Sequence, residues 1–368
     1  MKTPNFDTLG DLSTPALVVD EDALLRNIDR MAAEARGAGL CLRPHAKTHK
    51  CKEIALLQLR AGAVGIACAT IAEAEAFSGA GIGGILVTSP MMGSDKFARV
   101  AKLNREGGLT VVVDHVLQIE GLLAHLQPDD PPLAVAVDVD IGQNRTGVTS
   151  IAHALELARA SSDSLRLSFA GLQGFAGHVQ HIIGSQERKA AAANAAEQLR
   201  KVAVALTSAG LPPRLISGSG TGTYGYDATG PYNELQAGSY VFMDADYARI
   251  VDEKGNAPPY APSLFVLVTV VSVNRPGEVT VDAGTKALAT NGPTPCHFFG
   301  APAGAAYRFA GDEHGIVTFP VAQQGPTLGA RLLIGATHCD PTVNLHARYH
   351  VFNDGRTGQW NVLARYGN

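Results

Sequence analysis

Leu40-Cys41-Leu42-Arg43-Pro44-His45-Ala46-Lys47-Thr48-His49-Lys50 passes without a break from a short apolar run to a cluster of cations and imidazoles. The apolar part, 40–44, reads as a strand, so the polar part sits at a strand's carboxyl end. The same unit recurs. Further strand candidates lie at 64–69, 85–89, 109–114, 133–139, 167–175, 214–217 and 236–242. Between them, segments such as 52–61, 72–80, 96–106 and 152–160 carry Ala, Leu, Glu and Arg at helical spacing. Several strand candidates are apolar almost throughout, the pattern of strands covered on both faces and so of parallel pairing. Eight such units over residues 20–250 match an α/β fold, a (β/α)8 TIM-like barrel, with functional residues expected where the strands end. A doubly wound sheet fits the same alternation, and the pattern leaves the two open.

The style changes after Tyr247. Strand-like runs at 264–273, 278–282, 316–319, 331–334, 348–353 and 359–364 are separated by Gly, Pro and Asn, which reads as an all-β domain. The stretch 255–262 (GNAPPYAP) has the composition of a linker. At the other end, 14–19 (TPALVV) is an extra strand that either joins the β domain or opens the barrel. The expected division is a barrel over 20–250 and a β-rich domain made of 1–19 with 251–368.

At 368 residues the chain is too long for one small core. Its 46% hydrophobic and 17% charged content is a globular balance without a disordered tract. A net charge of −4 and a pI near 6.3 carry no nucleic-acid footprint. No window approaches the roughly 20 apolar residues of a membrane span, and MKTPNFDTLGDLSTP has no apolar signal core. A cytoplasmic protein with neither nucleic-acid nor membrane partner is expected. The five cysteines are an odd number without CxxC pairs, the usage of reduced thiols.

Four stretches could carry chemistry. The cationic run 43–50 is costly at a strand end unless something anionic binds there; a solvated basic loop is the alternative. Ile216-Ser217-Gly218-Ser219-Gly220-Thr221-Gly222-Thr223-Tyr224 follows a late strand, where backbone N–H groups and hydroxyls can cradle a phosphate. Ala237-Gly238-Ser239-Tyr240 could close its other side, and a flexible turn is the plain reading of both. In Thr337-His338-Cys339-Asp340-Pro341-Thr342, an extended chain would point His338 and Asp340 to one side, as two ligands of a divalent ion or as a surface hydrogen-bonded pair. Gly174–His181 ends the sixth strand with two imidazoles, His178 and His181, suited to acid–base work or to a structural cap.

Taken together, RPHAKTHK, DVDIGQNRTG, GLQGFAGHVQH, SGSGTGTY, ELQAGSYVFMD, VDAGTK, GDEHG and HCDPTVNL resemble, in order and spacing from about Ser13 to Arg365, the D-threonine aldolase and D-serine dehydratase family. Its members are pyridoxal-phosphate (PLP) enzymes with the alanine-racemase-like fold. The resemblance implies that Lys47 forms the Schiff base with PLP and that Arg145 lies near the cofactor's phenolic oxygen. It implies that Ser219, Gly220, Thr221, Gly238, Ser239 and Tyr240 hold the phosphate, that His338 and Asp340 bind the metal, and that His181 acts beside the metal-bound substrate. A homodimer and a small D-amino acid substrate are implied as well. The last residues, from Trp360 on, follow the family loosely.

The dehydratase branch resembles His-x-Cys at the metal motif, suited to Zn²⁺. Here the third residue is Asp340, a harder ligand that suits Mn²⁺, Mg²⁺ or Co²⁺ over Zn²⁺. That favours a lyase that cleaves D-3-hydroxy-amino acids by retro-aldol scission, D-threonine to glycine and acetaldehyde or a relative such as 3-hydroxy-D-aspartate. The alternatives are a D-serine or 3-hydroxy-D-aspartate dehydratase, then a racemase or a non-catalytic PLP carrier. Use of Cys339 in place of Asp340 also stays open. Arg43, His45 or Arg348 would be available to meet a charged β-substituent.

Overall fold

The structure is a computed structural model that describes residues 9, 10, 12–353 and 356–365; the readings made on residues 1–8 and 366–368 lie outside these. Eight parallel strands form one sheet: Cys41–Leu42, Ile66–Cys68, Ile85–Val87, Leu109–Val113, Leu133–Asp138, Leu167–Gly174, Leu215–Gly218 and Glu234–Leu235. Each lies beside its successor in the chain, and Cys41 sits opposite Glu234, so the first strand pairs with the last. Between the first and second strands, Val64 N donates to Leu42 O and Ala67 N to Pro44 O, each at 2.9 Å. The ring therefore closes. A doubly wound sheet would reverse its strand order part-way, and this one does not.

The eighth strand is not where the hydrophobic pattern put it. It ends at Leu235, and the apolar residues of 236–242 enter a 3-10 turn, Ser239–Val241. Tyr240, Val241 and Phe242 are buried all the same, because they pack on Leu24 and Ile28 of the helix Glu21–Gly37. Burial in a seam and burial in a sheet look alike in sequence.

The second sheet is mostly antiparallel and is ordered Ala306–Phe309, Gly315–Thr318, Glu278–Val281, Leu264–Arg275, Ala16–Asp20, Arg348–Asn353, Arg356–Asn361, with Arg331–Gly335 also paired to the long central strand Leu264–Arg275 and Phe298–Phe299 paired to Arg331–Gly335. The amino-terminal strand thus joins the β domain, antiparallel to Leu264–Arg275 and parallel to Arg348–Asn353. Asp20 then caps the helix that leads to the barrel, accepting from Ala23 N at 2.9 Å.

The stretch 255–262 is irregular but not a free tether. Asn27 holds it at both backbone groups of Ala261, with Nδ2 donating to the carbonyl (2.7 Å) and Oδ1 accepting from the amide (2.9 Å), and Tyr260 is buried. One apolar core runs through this seam, from Leu42 and Leu235 of the barrel to Val266, Ile334 and Tyr349 of the β domain.

Gly171 marks a bulge in the sixth strand, where the pairing register shifts. Its φ is +147°, and a Cβ there would lie 1.9 Å from Leu215 O. Both backbones belong to the barrel wall and cannot yield cheaply. Gly171→Ala is expected to destabilise the chain by on the order of 3 kcal/mol, measured as a lower midpoint in urea unfolding with the slope unchanged.

Candidate active site

Lys47 owes its position to the way the first strand stops. Pro44 ends the ladder, and His45 caps the 3-10 turn Ala46–Thr48, its Nδ1 accepting from Lys47 N at 3.4 Å. The lysine side chain stands in a cleft of about 100 Å³ at the carboxyl ends of the barrel strands. Of the residues singled out from sequence, Lys47, Arg145, Gly220, Thr221, Gly238 and Ser239 line that cleft. Arg145 lies over the Phe175 ring, its guanidinium carbon 5.8 Å from the ring centre.

The two glycine-rich loops are tied to each other, with Tyr240 N donating to Thr221 Oγ1 at 3.0 Å. Gly238 is packed so closely on the lysine turn that a Cβ would lie 2.9 Å from both His45 O and Thr48 Oγ1. Two expected members do not face the cleft. The Tyr240 ring is fully buried in the seam, where its hydroxyl accepts from Gln58 Nε2 at 3.1 Å. Ser219 is also buried, with its Oγ lacking a hydrogen-bond partner of good geometry. An apolar seam beside the loop claims the one, and a positive φ of 70° turns the other inward.

The β domain meets the cleft at Lys47. His338 and Asp340 do not lie on an extended segment: His338 is the N-cap and Asp340 the second residue of a short helix, Cys339–Leu345. Pro341 is tolerated in a first turn, and a carboxylate is favoured there by the helix dipole. The helix brings Asp340 Oδ2 to 3.3 Å from Lys47 Nζ. Burial opposes the charge on Asp340, but Lys47 and His338 together hold its carboxyl below the usual range. Asp340 Oδ1 is buried without a hydrogen-bond partner of good geometry. His338 Nδ1 lies 3.0 Å from Asn291 Nδ2. Cys339 faces away, its Sγ 3.7 Å from Met243 O, and burial pushes its thiol well above the usual range.

His181 sits at the rim. Its ring packs 4.4 Å from that of Tyr247, and Nδ1 lies 3.2 Å from Asp246 Oδ2. Burial lowers its pKa against the pull of Asp246 and Asp244. In the neutral imidazole Nδ1 carries the proton toward Asp246, which leaves the Nε2 lone pair free.

Sequence reading missed the polar floor. Gln173 Nε2 donates to Asp138 Oδ1 (2.9 Å) and Thr88 O (2.8 Å), and Gln236 Nε2 donates to Ser217 Oγ (2.9 Å). The signal was there: a glutamine near the end of an otherwise apolar strand is out of place unless it meets polar company. His45 is also part of the cleft. Burial, reinforced by Lys47, pushes its pKa down to about 3, and its Nε2 bonds Thr88 Oγ1 at 3.0 Å. It is therefore no cation for a charged substituent. Nor are the other two candidates: Arg43 is spent on Glu234 (2.9 Å) and Arg348 on Gln359 (3.3 Å), and neither lines the cleft. Lys47 and Arg145 are the cations in the cleft's lining.

A closed eight-stranded barrel with a lysine at its mouth and a β domain that delivers a carboxylate to that lysine define a two-domain enzyme of the alanine-racemase type. Residues 19–246 match the family model described as alanine racemase, N-terminal domain, and residues 263–352 match a serine dehydratase domain. The chain is 39% identical to a D-threonine aldolase from Arthrobacter sp. and 38% identical to a 3-hydroxy-D-aspartate aldolase from Paracoccus denitrificans (strain Pd 1222), covering 98% of this chain and 94% of the relative in each case. The crystal structure of D-threonine aldolase from Filomicrobium marinum superposes with a TM-score of 0.92 at 38% identity, covering 97% of both chains. A D-threo-3-hydroxyaspartate dehydratase from Delftia sp. is more distant, at 31% identity over 97% of this chain and 99% of that one. The chain belongs to the D-threonine aldolase family, and its nearer relatives, being aldolases, are lyases.

The neutral imidazole of His45 makes an acid-stability prediction. Its folded pKa is depressed from 6.5 to about 3, so the stability it contributes is complete above pH 6.5 and is lost as pH falls toward 3, at roughly 1.4 kcal/mol per pH unit. His45→Gln, which cannot titrate, is expected to show a shallower fall in thermal midpoint between pH 6.5 and 4 than the parent chain.

Proposed function

We propose that this chain is a PLP- and divalent-metal-dependent lyase that cleaves the Cα–Cβ bond of D-3-hydroxy-amino acids, D-threonine to glycine and acetaldehyde. The observation that carries the reading is the 3.3 Å approach of a barrel amine, Lys47, which lines the cleft, to a β-domain carboxylate, Asp340.

The residues present fit PLP. Lys47 is a half-exposed amine, Gly220, Thr221, Gly238 and Ser239 offer a glycine-rich cradle for a phosphate, and Arg145 offers a guanidinium for an anionic oxygen. They also fit a metal held by few protein groups. No set of three or more His, Cys, Asp or Glu donors able to hold a metal occurs among the described residues. His338 and Asp340 would supply two, with the unpartnered Oδ1 of Asp340 available and substrate and water oxygens completing the sphere. An imidazole and a carboxylate without thiolate favour Mn²⁺, Mg²⁺ or Co²⁺ over Zn²⁺.

When bound, PLP supplies an electron sink for the breaking bond, and the metal supplies a Lewis acid for the β-hydroxyl. The chain's own groups do the rest. Lys47 would hold the cofactor, and its amine, beside Asp340, would deliver a proton to Cα after the Cα–Cβ bond has broken. His181, kept neutral by burial and oriented by Asp246, accepts the β-hydroxyl proton at Nε2. The walls of Tyr247 and the two loops restrict how the substrate can turn, so one bond stands ready to break. With Arg145 already assigned to the cofactor, the cleft's lining holds no further cation for a β-carboxylate, which favours an uncharged β-substituent.

Dehydration is the second reading, favoured by the serine dehydratase match over 263–352. Asp340 where that branch has a cysteine, and the inert thiol of Cys339, weigh against it. A homodimer is proposed alongside, and the five free thiols support a reducing, cytoplasmic setting.

With PLP and Mn²⁺ supplied, D-threonine is expected to yield glycine and acetaldehyde, with the yield abolished by EDTA. A 2-oxo acid and ammonia would make the chain a dehydratase. Lys47→Ala is expected to lose the visible absorbance of the bound cofactor and at least 10³-fold in turnover, on the order of 4 kcal/mol. Asp340→Ala should keep that absorbance and lose metal-dependent turnover.

A further inference from the structure

Asp244 is 2% exposed and receives three backbone N–H groups. Its Oδ1 accepts from Tyr247 N (3.0 Å) and Asp246 N (3.2 Å), both in the barrel's last turn. Its Oδ2 accepts from Cys339 N (3.0 Å), the first helical residue of Cys339–Leu345 in the β domain. One buried carboxylate therefore joins the residue before Asp340 to the segment that carries Asp246, the partner of His181.

A helix this short does not hold its own position in water; its anchors set it. At its far end Asn344 Oδ1 accepts from Lys50 Nζ at 3.2 Å, and Lys50 is itself paired with Glu73 at 3.4 Å. At its near end Asp244 holds the backbone at Cys339, beside the side-chain contacts of His338 with Asn291 and of Asp340 with Lys47. That placement is costly. Burial, first, and the neighbouring Asp340 work against the charge of Asp244 and leave its pKa raised; the N–H groups of Tyr247 and Cys339, with His338, offset them only in part. Other contacts across the same seam, such as Ala245 N to Ala336 O (3.1 Å), would keep the domains together without it. What the carboxylate adds is the position of one turn.

We propose that Asp244 is a positioning residue for the reaction, acting through the Cys339 amide to hold the Asp340 carboxylate against Lys47 and the metal. This rests on the reading of Asp340 as a metal ligand. Asparagine is nearly the same shape, but its NH₂ cannot accept from Cys339 N–H while its oxygen serves Tyr247.

The test compares Asp244→Asn, Asp340→Asn and the double variant in the PLP-loaded enzyme. Mn²⁺ affinity is read by electron paramagnetic resonance, and the Lys47–Asp340 distance is read in a crystal structure of Asp244→Asn. Asp244→Asn is expected to weaken Mn²⁺ by about 10–100-fold, with cofactor absorbance retained and Asp340 displaced from Lys47. In the Asp340→Asn background the same change should have no further effect, since Asp244 acts through that residue. Parental affinity with the Lys47–Asp340 pair in place overturns the proposal, and so do additive effects. If the parent chain binds no Mn²⁺, the metal reading fails by itself, and the crystallographic distance alone decides the role of Asp244. Should Asp244→Asn not fold, Asp244→Glu keeps the charge but lengthens its reach by a methylene, and the same loss of Mn²⁺ affinity is expected.

Discussion

The seam between the two sheets is the constraint on which everything at the cleft depends. Lys47 and Asp340 belong to different domains and to opposite ends of the chain, and neither domain alone contains the pair. They meet because the apolar layer from Leu42 and Leu235 through Tyr240 to Val266 and Tyr349 leaves the domains no freedom to slide. Polar contacts then fix the register of that layer. Asn27 holds Ala261, and Tyr349 donates to His49 O at 2.5 Å, two residues past the lysine. Hydrophobic burial supplies the strength of the seam and directional bonds supply its geometry, which a non-directional force cannot do.

The electrostatics of the cleft follow from the same burial. Between His45 and His49 the lysine turn carries Lys47, yet burial drives both imidazoles toward neutrality, with pKa values of about 3 and 4. The run that looks most cationic in sequence is thus far less so in place. Arg43 is neutralised by Glu234 and Lys50 by Glu73. What faces the ligand space is a single amine, a single guanidinium and neutral donors. A site of that kind discriminates through geometry and hydrogen bonding more than through net charge.

The alternation of strands and helices and the β tail are legible in sequence because both rest on periodicity, whereas the closure of the barrel over a doubly wound sheet is not, since it depends on pairing of the first strand with the last. Strands covered on two faces must be apolar throughout, and the gaps between them at 52–61, 72–80, 96–106 and 152–160 match helices whose ends lie within two residues of those bounds. The eighth strand was misplaced because 236–242 is apolar for a tertiary reason, contact with the helix Glu21–Gly37. The turn of His338 and Asp340 was misjudged in the same way: strand spacing was assumed where Asp-Pro in sequence already marked a first helical turn. Lys47 stood out from its setting, whereas Gln173 and Gln236 did not, since their role depends on each other and on Asp138 across the barrel. Pairings between distant strands leave no trace in a local window.

The place of the amino-terminal strand in the second sheet has a consequence for how the chain is made. Ala16–Asp20 is made before the barrel, but both its partners, Leu264–Arg275 and Arg348–Asn353, lie beyond the whole barrel. During synthesis this strand waits with both edges unpaired while some 240 residues emerge. Its sequence, ALVVD, is apolar and rich in β-branched residues, the sort of segment that pairs with whatever edge it meets. The helix that follows it directly can dock early on the growing barrel and hold the strand away from neighbours. Until Leu264–Arg275 is made, the strand has no partner in its own chain to pair with.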